Sequence, residues 1–133
     1  MPAKKTILCV DDEQSLSIHK ITLKTRGYRV LACGTAGEAI DILARGGVDM
    51  VLSGMDLPDR QTPELVQYMK SHAAETPILL LTSKNRIVSV DAPADLLLSK
   101  GCSPAELLER IRLVLARRRS RRTASGMDER PAC

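Results

Sequence analysis

Polar residues follow four apolar segments that have the composition of buried strands. The segments and the residues that follow them are 6–10 with Asp11 and Asp12, 49–53 with Gly54, 77–81 with Thr82, and 96–99 with Lys100. The carboxyl ends of parallel strands meet at one edge of an open α/β sheet, where ligand sites are built. We therefore expect one polar site that is acidic at Asp11 and Asp12, basic at Lys100, and without a side chain at Gly54.

Each of these polar residues also has a purely structural alternative. Asp11 and Asp12 could form a solvated strand end that caps the following helix. Lys100 could pair with those two acids as a structural ion pair. Thr82 could be an ordinary hydroxyl at the end of its strand.

Strand-like and helix-like segments alternate along the chain. We predict strands at about residues 6–10, 28–32, 49–53, 78–82 and 95–99. Helices are predicted between them, although Pro93 and several β-branched residues make 84–92 a poor helical segment. Five strands alternating with about five helices predict an α/β fold, with a parallel sheet covered on both faces.

Capping patterns predict where three of the helices begin. Residues 35–38 (Thr-Ala-Gly-Glu) and 103–106 (Ser-Pro-Ala-Glu) each form a capping box. Thr62 before Pro63 is typical of an N-cap followed by proline at the first helical position.

A histidine lies in the apolar row of the first predicted helix. Leu16, His19 and Leu23 recur at helical spacing, and we expect Ile18 and Ile21 to broaden this row toward the core. The position of His19 favours a structural role over that of a reactive histidine.

Length and composition indicate one globular domain with a basic end. The 133 residues are 44% hydrophobic and 27% charged, which is ordinary for a soluble protein. The net charge of +4 belongs to residues 117–133, where six arginines oppose Asp128 and Glu129. No apolar stretch is long enough to span a membrane, and the start of the chain lacks a signal-peptide pattern, so we expect a cytoplasmic protein.

The four cysteines do not form a metal-binding pattern. None of Cys9, Cys33, Cys102 and Cys133 is part of a CxxC motif, and no histidine lies near them in sequence. We expect free thiols rather than a zinc site, with Cys9 packed as a small core residue.

Four segments together resemble the receiver domain of two-component response regulators, the flavodoxin-like fold of chemotaxis regulators. In chain order they read ILCVDDE, VLSGMDLP, PILLLTS and LLLSKGCSPAELLERI. The resemblance covers about residues 4–118. It implies a flavodoxin-like five-stranded parallel sheet with strand order 2-1-3-4-5, a receiver-like domain in 1–118 and a basic, disordered tail in 119–133.

The resemblance also implies a role for each polar residue. In that family paired acids hold Mg²⁺, an Asp after the third strand accepts phosphate from a histidine kinase, a Thr or Ser bonds the phosphate, and a Lys pairs with it. By position, Asp11 and Asp12 match the acids and could form a weakened Mg²⁺ site, in which we expect Asp12 to be the direct ligand. Thr82 matches the switch hydroxyl, Lys100 the phosphate-pairing lysine, and Gly54 the phosphoacceptor.

Several positions depart from the family pattern. Gly54 supplies no oxygen nucleophile, and residues 59–62 lack the glycine that usually follows an acidic residue there. Leu97 stands where a switching aromatic residue is common, Gly101 replaces a proline, and Cys102 replaces an aromatic residue.

We therefore expect a pseudo-receiver in phosphorelay signal transduction that is not an enzyme and is not phosphorylated at Gly54. It would act through contacts with a histidine kinase or an output protein, with a homodimer through its last two helices. One alternative is a conventional phosphoaccepting receiver in which Gly54 is a substitution of the acceptor Asp, or in which Asp56 stands in. The other is nucleic-acid binding through the tail, which the lack of a helix-turn-helix or zinc motif there disfavours.

Overall fold

A five-stranded parallel sheet organises the computed structural model of the chain, which describes residues 4–55, 57, 59, 61–82 and 97–128, with side chains to Arg117. The strands are β1 (Thr6–Val10), β2 (Arg29–Cys33), β3 (Met50–Gly54), β4 (Ile78–Thr82) and β5 (Leu97–Ser99). The helices are α1 (Glu13–Lys24), α2 (Ala36–Arg45), α3 (Thr62–His72) and α4 (Pro104–Asp128).

The strand order is β2-β1-β3-β4-β5, and every neighbouring pair is parallel. This confirms the fold class and the strand order implied by the resemblance. The chain first builds outward from β1 to β2 and then crosses to β3 on the other side of β1. The ends of β1 and β3 therefore flank the point where strand order reverses, which is where such sheets bind ligands.

Both faces of the sheet are buried. On one face α2 and α3 pack against strand residues such as Leu8, Val51 and Leu80. On the other face α1 and α4 pack against residues such as Cys9 and Leu79. Burial on both sides explains why the strands read as uninterrupted apolar runs, and it confirms that Cys9 belongs to the core.

The outward face of α1 differs from the prediction. Ile18 and Ile21 are 56% and 70% exposed, so they do not broaden the inward apolar row. The inward row consists of Leu16, His19 and Leu23, which recur at three- and four-residue intervals. Residues two positions from this row point to the opposite side of a helix with 3.6 residues per turn.

The two capping boxes are confirmed, whereas the predicted cap of α3 is wrong. The N–H groups of Glu38 and Glu106 donate to the hydroxyl oxygens of Thr35 and Ser103, each at 3.2 Å. In α3 the N-cap is Gln61, without a side-chain hydrogen bond, and Thr62 is already helical.

The buried hydroxyl of Thr62 serves the preceding loop instead of the helix. It donates to the Met55 carbonyl oxygen at 3.1 Å. This hydrogen bond connects Met55, directly after β3, to the start of α3, and it gives a partly buried carbonyl its donor.

Helix α4 extends further than predicted. Its backbone is helical to Asp128, so 119–128 differ from the disordered tail that we expected. No proline interrupts the chain between Pro104 and Pro131, and arginine and alanine favour helices. The domain boundary at residue 118 stays a prediction.

Two sequence predictions lie outside the described residues: the irregular helix at 84–92 and the stand-in role of Asp56. Within the part of the chain that the structure describes, no helix combines the length and apolar content needed to cross a membrane.

The Thr62 hydrogen bond gives a first testable prediction. Thr62→Val should lower the free energy of unfolding by about 1 kcal/mol, because the Met55 carbonyl loses its donor in a partly buried setting. Urea unfolding measures the change. Thr25→Val is the matched control, since its hydroxyl donates to the Thr22 carbonyl at an exposed helix end where water can replace it. Equal effects of the two substitutions would contradict the assignment.

Candidate functional site

Asp11 is the buried centre of the polar cluster at the carboxyl edge of the sheet. It follows β1 directly and is only 2% exposed. Its Oδ1 accepts hydrogen bonds from the Asp12 N–H at 2.8 Å and from Lys100 Nζ at 2.9 Å. A buried carboxylate needs such donors and an opposite charge to remain ionised.

Asp12 has a different role from its neighbour. Its side chain is exposed, and its Oδ1 accepts from the Ser15 N–H at 2.8 Å, which makes Asp12 the N-cap of α1. This hydrogen bond is the main reason why the pKa of the Asp12 carboxyl lies below its usual range. The helix-capping alternative from the sequence is therefore confirmed for Asp12. Its second oxygen, Oδ2, lies 3.5 Å from Lys100 Nζ.

Lys100 connects the two distant sides of the site. Its N–H donates to the Thr82 carbonyl oxygen at 2.8 Å, which fixes the turn after β5 to the end of β4. From there the side chain reaches Asp11 beyond β1, although β3 and β4 lie between β1 and β5. Burial would lower the pKa of the Lys100 ammonium, but the two carboxylates outweigh it and raise that pKa.

Gly54 lies where this ion pair leaves no room for a side chain. It ends β3, next to β1. A Cβ at this position would lie 2.7 Å from Asp11 Oδ1 and 2.9 Å from both Asp11 Cγ and Oδ2. A side chain at position 54 would thus point directly at the Asp11 carboxylate, in the space which that carboxylate now fills.

His19 belongs to the surroundings of this site, which the sequence analysis missed. Its Nε2 lies 3.9 Å from Asp11 Oδ2. These two atoms and His19 Nδ1 are buried without a hydrogen-bond partner among the described residues. The sequence does carry a signal for this placement. His19 is a polar residue in the inward row of α1, and α1 starts directly after Asp11 and Asp12.

Thr82 and the residues after Lys100 frame the site. Thr82 ends β4 in register with Ser99 of β5, and its carbonyl holds Lys100 as described. The Gly101 N–H donates to Ser99 Oγ at 3.1 Å, and Cys102 packs against the core shared by α1 and α4. The structure therefore places Lys100 and Gly54 against the same carboxylate, that of Asp11.

The pKa of the Asp11 carboxyl is lowered despite its burial. Burial alone would raise this pKa, but the nearby His19 ring, the Lys100 ammonium and the Asp12 N–H favour the charged carboxylate and outweigh it. Since His19 lies beyond hydrogen-bond distance, we assign the main part of the lowering to Lys100 and the Asp12 amide.

The described side chains do not fit a magnesium ion as they are placed. Mg²⁺ requires oxygen ligands in near-octahedral geometry, whereas the oxygens of Asp11 and Asp12 point toward Lys100, the α1 amides and Gly54. Within the described ranges, no group of three or more His, Cys, Asp or Glu side chains is arranged to hold a metal.

Comparisons with known proteins agree with this fold. The family described as the response regulator receiver domain matches residues 7–112. The phosphate regulon transcriptional regulatory protein PhoB of Pseudomonas aeruginosa is 32% identical, over 96% of this chain and 56% of PhoB. The chain spans about half the length of the curated relatives that it matches.

Solved structures show the same architecture. A CheY-like receiver domain protein from Methanospirillum hungatei JF-1 has a TM-score of 0.76 at 25% identity, covering 90% of this chain and 99% of its own. The signal receiver domain of an HD domain-containing protein from Pseudomonas fluorescens Pf-5 has a TM-score of 0.74 at 27% identity, covering 89% and 99%.

The ion pair predicts how acid affects stability. Because the pKa of Asp11 in the folded protein is below its ordinary value of 3.8, its paired carboxylate stabilises the fold fully above about that pH, and the contribution is lost as the pH falls below it. Lys100→Met should therefore lower the free energy of unfolding at neutral pH, and this deficit should shrink as the solution is acidified.

Denaturant unfolding across the acid range tests this prediction. Lys24→Met is the matched control, because Lys24 is an exposed lysine in the last turn of α1. Its effect should be small and nearly independent of pH. A Lys100→Met deficit that persists unchanged at strongly acidic pH would show that the Asp11 pair does not contribute as described.

Proposed function

The chain belongs to the response regulator receiver domain family of two-component signalling, and we propose that it is a receiver-like module that is not phosphorylated at position 54. Receivers of this family interact with histidine kinases and output domains. We infer that this chain works through such protein contacts without a phosphate switch at its sheet edge.

The observation that supports this proposal is the direction of position 54. A side chain there would face Asp11 and lie within the cluster that Lys100 completes, as the acceptor position of a receiver would. Phosphoryl transfer to a protein requires an oxygen nucleophile aligned with the leaving group. Glycine has no such atom, so the chemistry cannot occur at this position.

The alternative is a receiver that still accepts phosphate. In that case Gly54 would be a substitution of an acceptor Asp, or Asp56 would stand in two residues later. We favour the first proposal because the carboxylate of Asp11 already fills the space at position 54.

Phosphodonor labelling tests the proposed function. Incubation with acetyl phosphate and Mg²⁺ should leave the mass of the protein unchanged, because no carboxylate stands at position 54. Intact-protein mass spectrometry measures the result.

One control variant tests Asp56 as a stand-in acceptor. Asp56→Asn should also be unlabelled. If the unaltered chain gains the mass of one phosphoryl group and Asp56→Asn does not, Asp56 is the acceptor and the proposal is wrong.

We also propose that the face formed by β5 and α4 is the protein contact surface. Lys100 fixes the turn between these two elements, and Leu113 of α4 is a large apolar side chain exposed to solvent. A homodimer through the last two helices would use this face. Of those two helices, α4 lies among the described residues.

Sedimentation velocity tests the contact surface. If the chain self-associates through α4, Leu113→Asp should convert the dimer to monomer. Ile21→Asp is the matched control, since Ile21 is an even more exposed apolar residue on α1, and it should leave the dimer intact. A monomeric unaltered chain, or equal effects of both substitutions, would exclude this dimer.

We do not assign nucleic-acid binding to the basic end of the chain. Its arginines provide a sequence-independent attraction that salt weakens. No aromatic residue occurs in 117–133 to stack on bases.

A further inference from the structure

We propose that the Asp11–Lys100 ion pair is the permanent occupant of this pocket, that Gly54 is required to make room for it, and that the Lys100 ammonium takes the place of a divalent cation. This inference deepens the proposed function, on which it rests in assigning the pocket to a receiver. It adds that Gly54 has a structural role of its own, beyond the loss of an acceptor.

The first argument is space. Heavy atoms that are not bonded rarely approach within 3 Å of a Cβ, yet a Cβ at position 54 would lie 2.7–2.9 Å from three atoms of the Asp11 carboxyl group. That carboxylate cannot swing away without loss, because Oδ1 accepts from both Lys100 and the Asp12 amide. The absence of a side chain at position 54 and the orientation of Asp11 therefore depend on each other.

The second argument is charge. The Lys100 ammonium lies 2.9 Å from Asp11 Oδ1 and 3.5 Å from Asp12 Oδ2, so one cation already contacts both acids. A divalent ion between the same carboxylates would be repelled by this ammonium and would have to displace it. Asp12 Oδ1 is also engaged at the start of α1.

The third argument is enclosure. Asp11 Oδ2 faces the buried His19 ring at 3.9 Å, and the Asp11 side chain is almost fully shielded from solvent. The chain's own side chains surround the carboxylate, whereas a magnesium site typically retains several water ligands.

The consequence is a fixed connection across the sheet. Lys100 begins the turn that leads from β5 into α4, and its side chain is bonded to the end of β1. Through its bonds to Asp11 and to the Thr82 carbonyl oxygen, Lys100 holds the turn between β5 and α4 in one arrangement.

A double-mutant cycle tests the space argument. Gly54→Ala should lower the melting temperature by about 5 °C or more, because the added methyl group forces Asp11 from its bonds. In the Asp11→Ala background the same substitution should be neutral or stabilising, because the obstructing carboxylate is gone and alanine favours regular structure over glycine. Equal drops in both backgrounds would overturn the proposal.

Gly37→Ala is the matched control for this cycle. It lies in α2, and a Cβ there would have no neighbour within 4 Å beyond its own turn. Its melting temperature should be unchanged or raised. A drop as large as that of Gly54→Ala would show that the effect is not specific to Asp11.

Magnesium-dependent melting tests the charge argument, and it also decides the proposal if the Asp11→Ala variants fail to fold. Millimolar MgCl₂ should leave the melting temperature of the unaltered chain unchanged relative to matched ionic strength. It should raise that of Lys100→Met, where the acids are free of the ammonium. Magnesium-specific stabilisation of the unaltered chain would overturn the proposal, and no stabilisation of Lys100→Met would overturn its charge argument.

The two proposals fail in different experiments. Phosphoryl labelling of the unaltered chain would refute the proposed function. Magnesium-specific stabilisation of the unaltered chain, without labelling, would refute only the present inference.

Discussion

One ion pair, between Asp11 and Lys100, organises the polar cluster at the carboxyl edge of the sheet. It joins the end of β1, in the interior of the sheet, to the turn after the edge strand β5. Burying a carboxylate is costly unless it is paired and hydrogen-bonded. The burial of Asp11 therefore requires a cation beside it, and Lys100 is that cation. The glycine at the end of β3 leaves the space that the Asp11 carboxylate occupies, and the Asp12 N–H supplies one of the donors that this carboxylate needs.

The polar cluster lies at the carboxyl ends of β1 and β3, where the strand order of the sheet reverses. A parallel sheet covered on both faces leaves its carboxyl edge as the place for polar groups, and the receiver family uses that edge for signalling. In this chain the same edge is filled by its own side chains. The hydrogen bonds of Asp11 Oδ1 make this pair a structural connection between the end of β1 and the turn after β5.

The sequence was sufficient for the sheet and for the candidate residues, because both depend on local patterns. Uninterrupted apolar strands predict burial on two faces, and polar residues after such strands must gather at one edge. The orientation of Asp11 could not be predicted, because it depends on the missing Cβ of Gly54, a residue forty-three positions away. The role of Thr62 depends on a similar contact, because its hydroxyl can serve its own helix or the Met55 carbonyl, and in the fold it donates to Met55. The exposure of Ile18 and Ile21 likewise depends on which side of α1 meets the sheet.

The most direct test of the central claim is a crystal structure of the unaltered chain grown in magnesium-saturated solution. The account predicts that Lys100 Nζ remains bonded to Asp11 Oδ1, with the carboxylate packed over Gly54. A magnesium ion coordinated by Asp11 and Asp12, with Lys100 displaced from both, would contradict it.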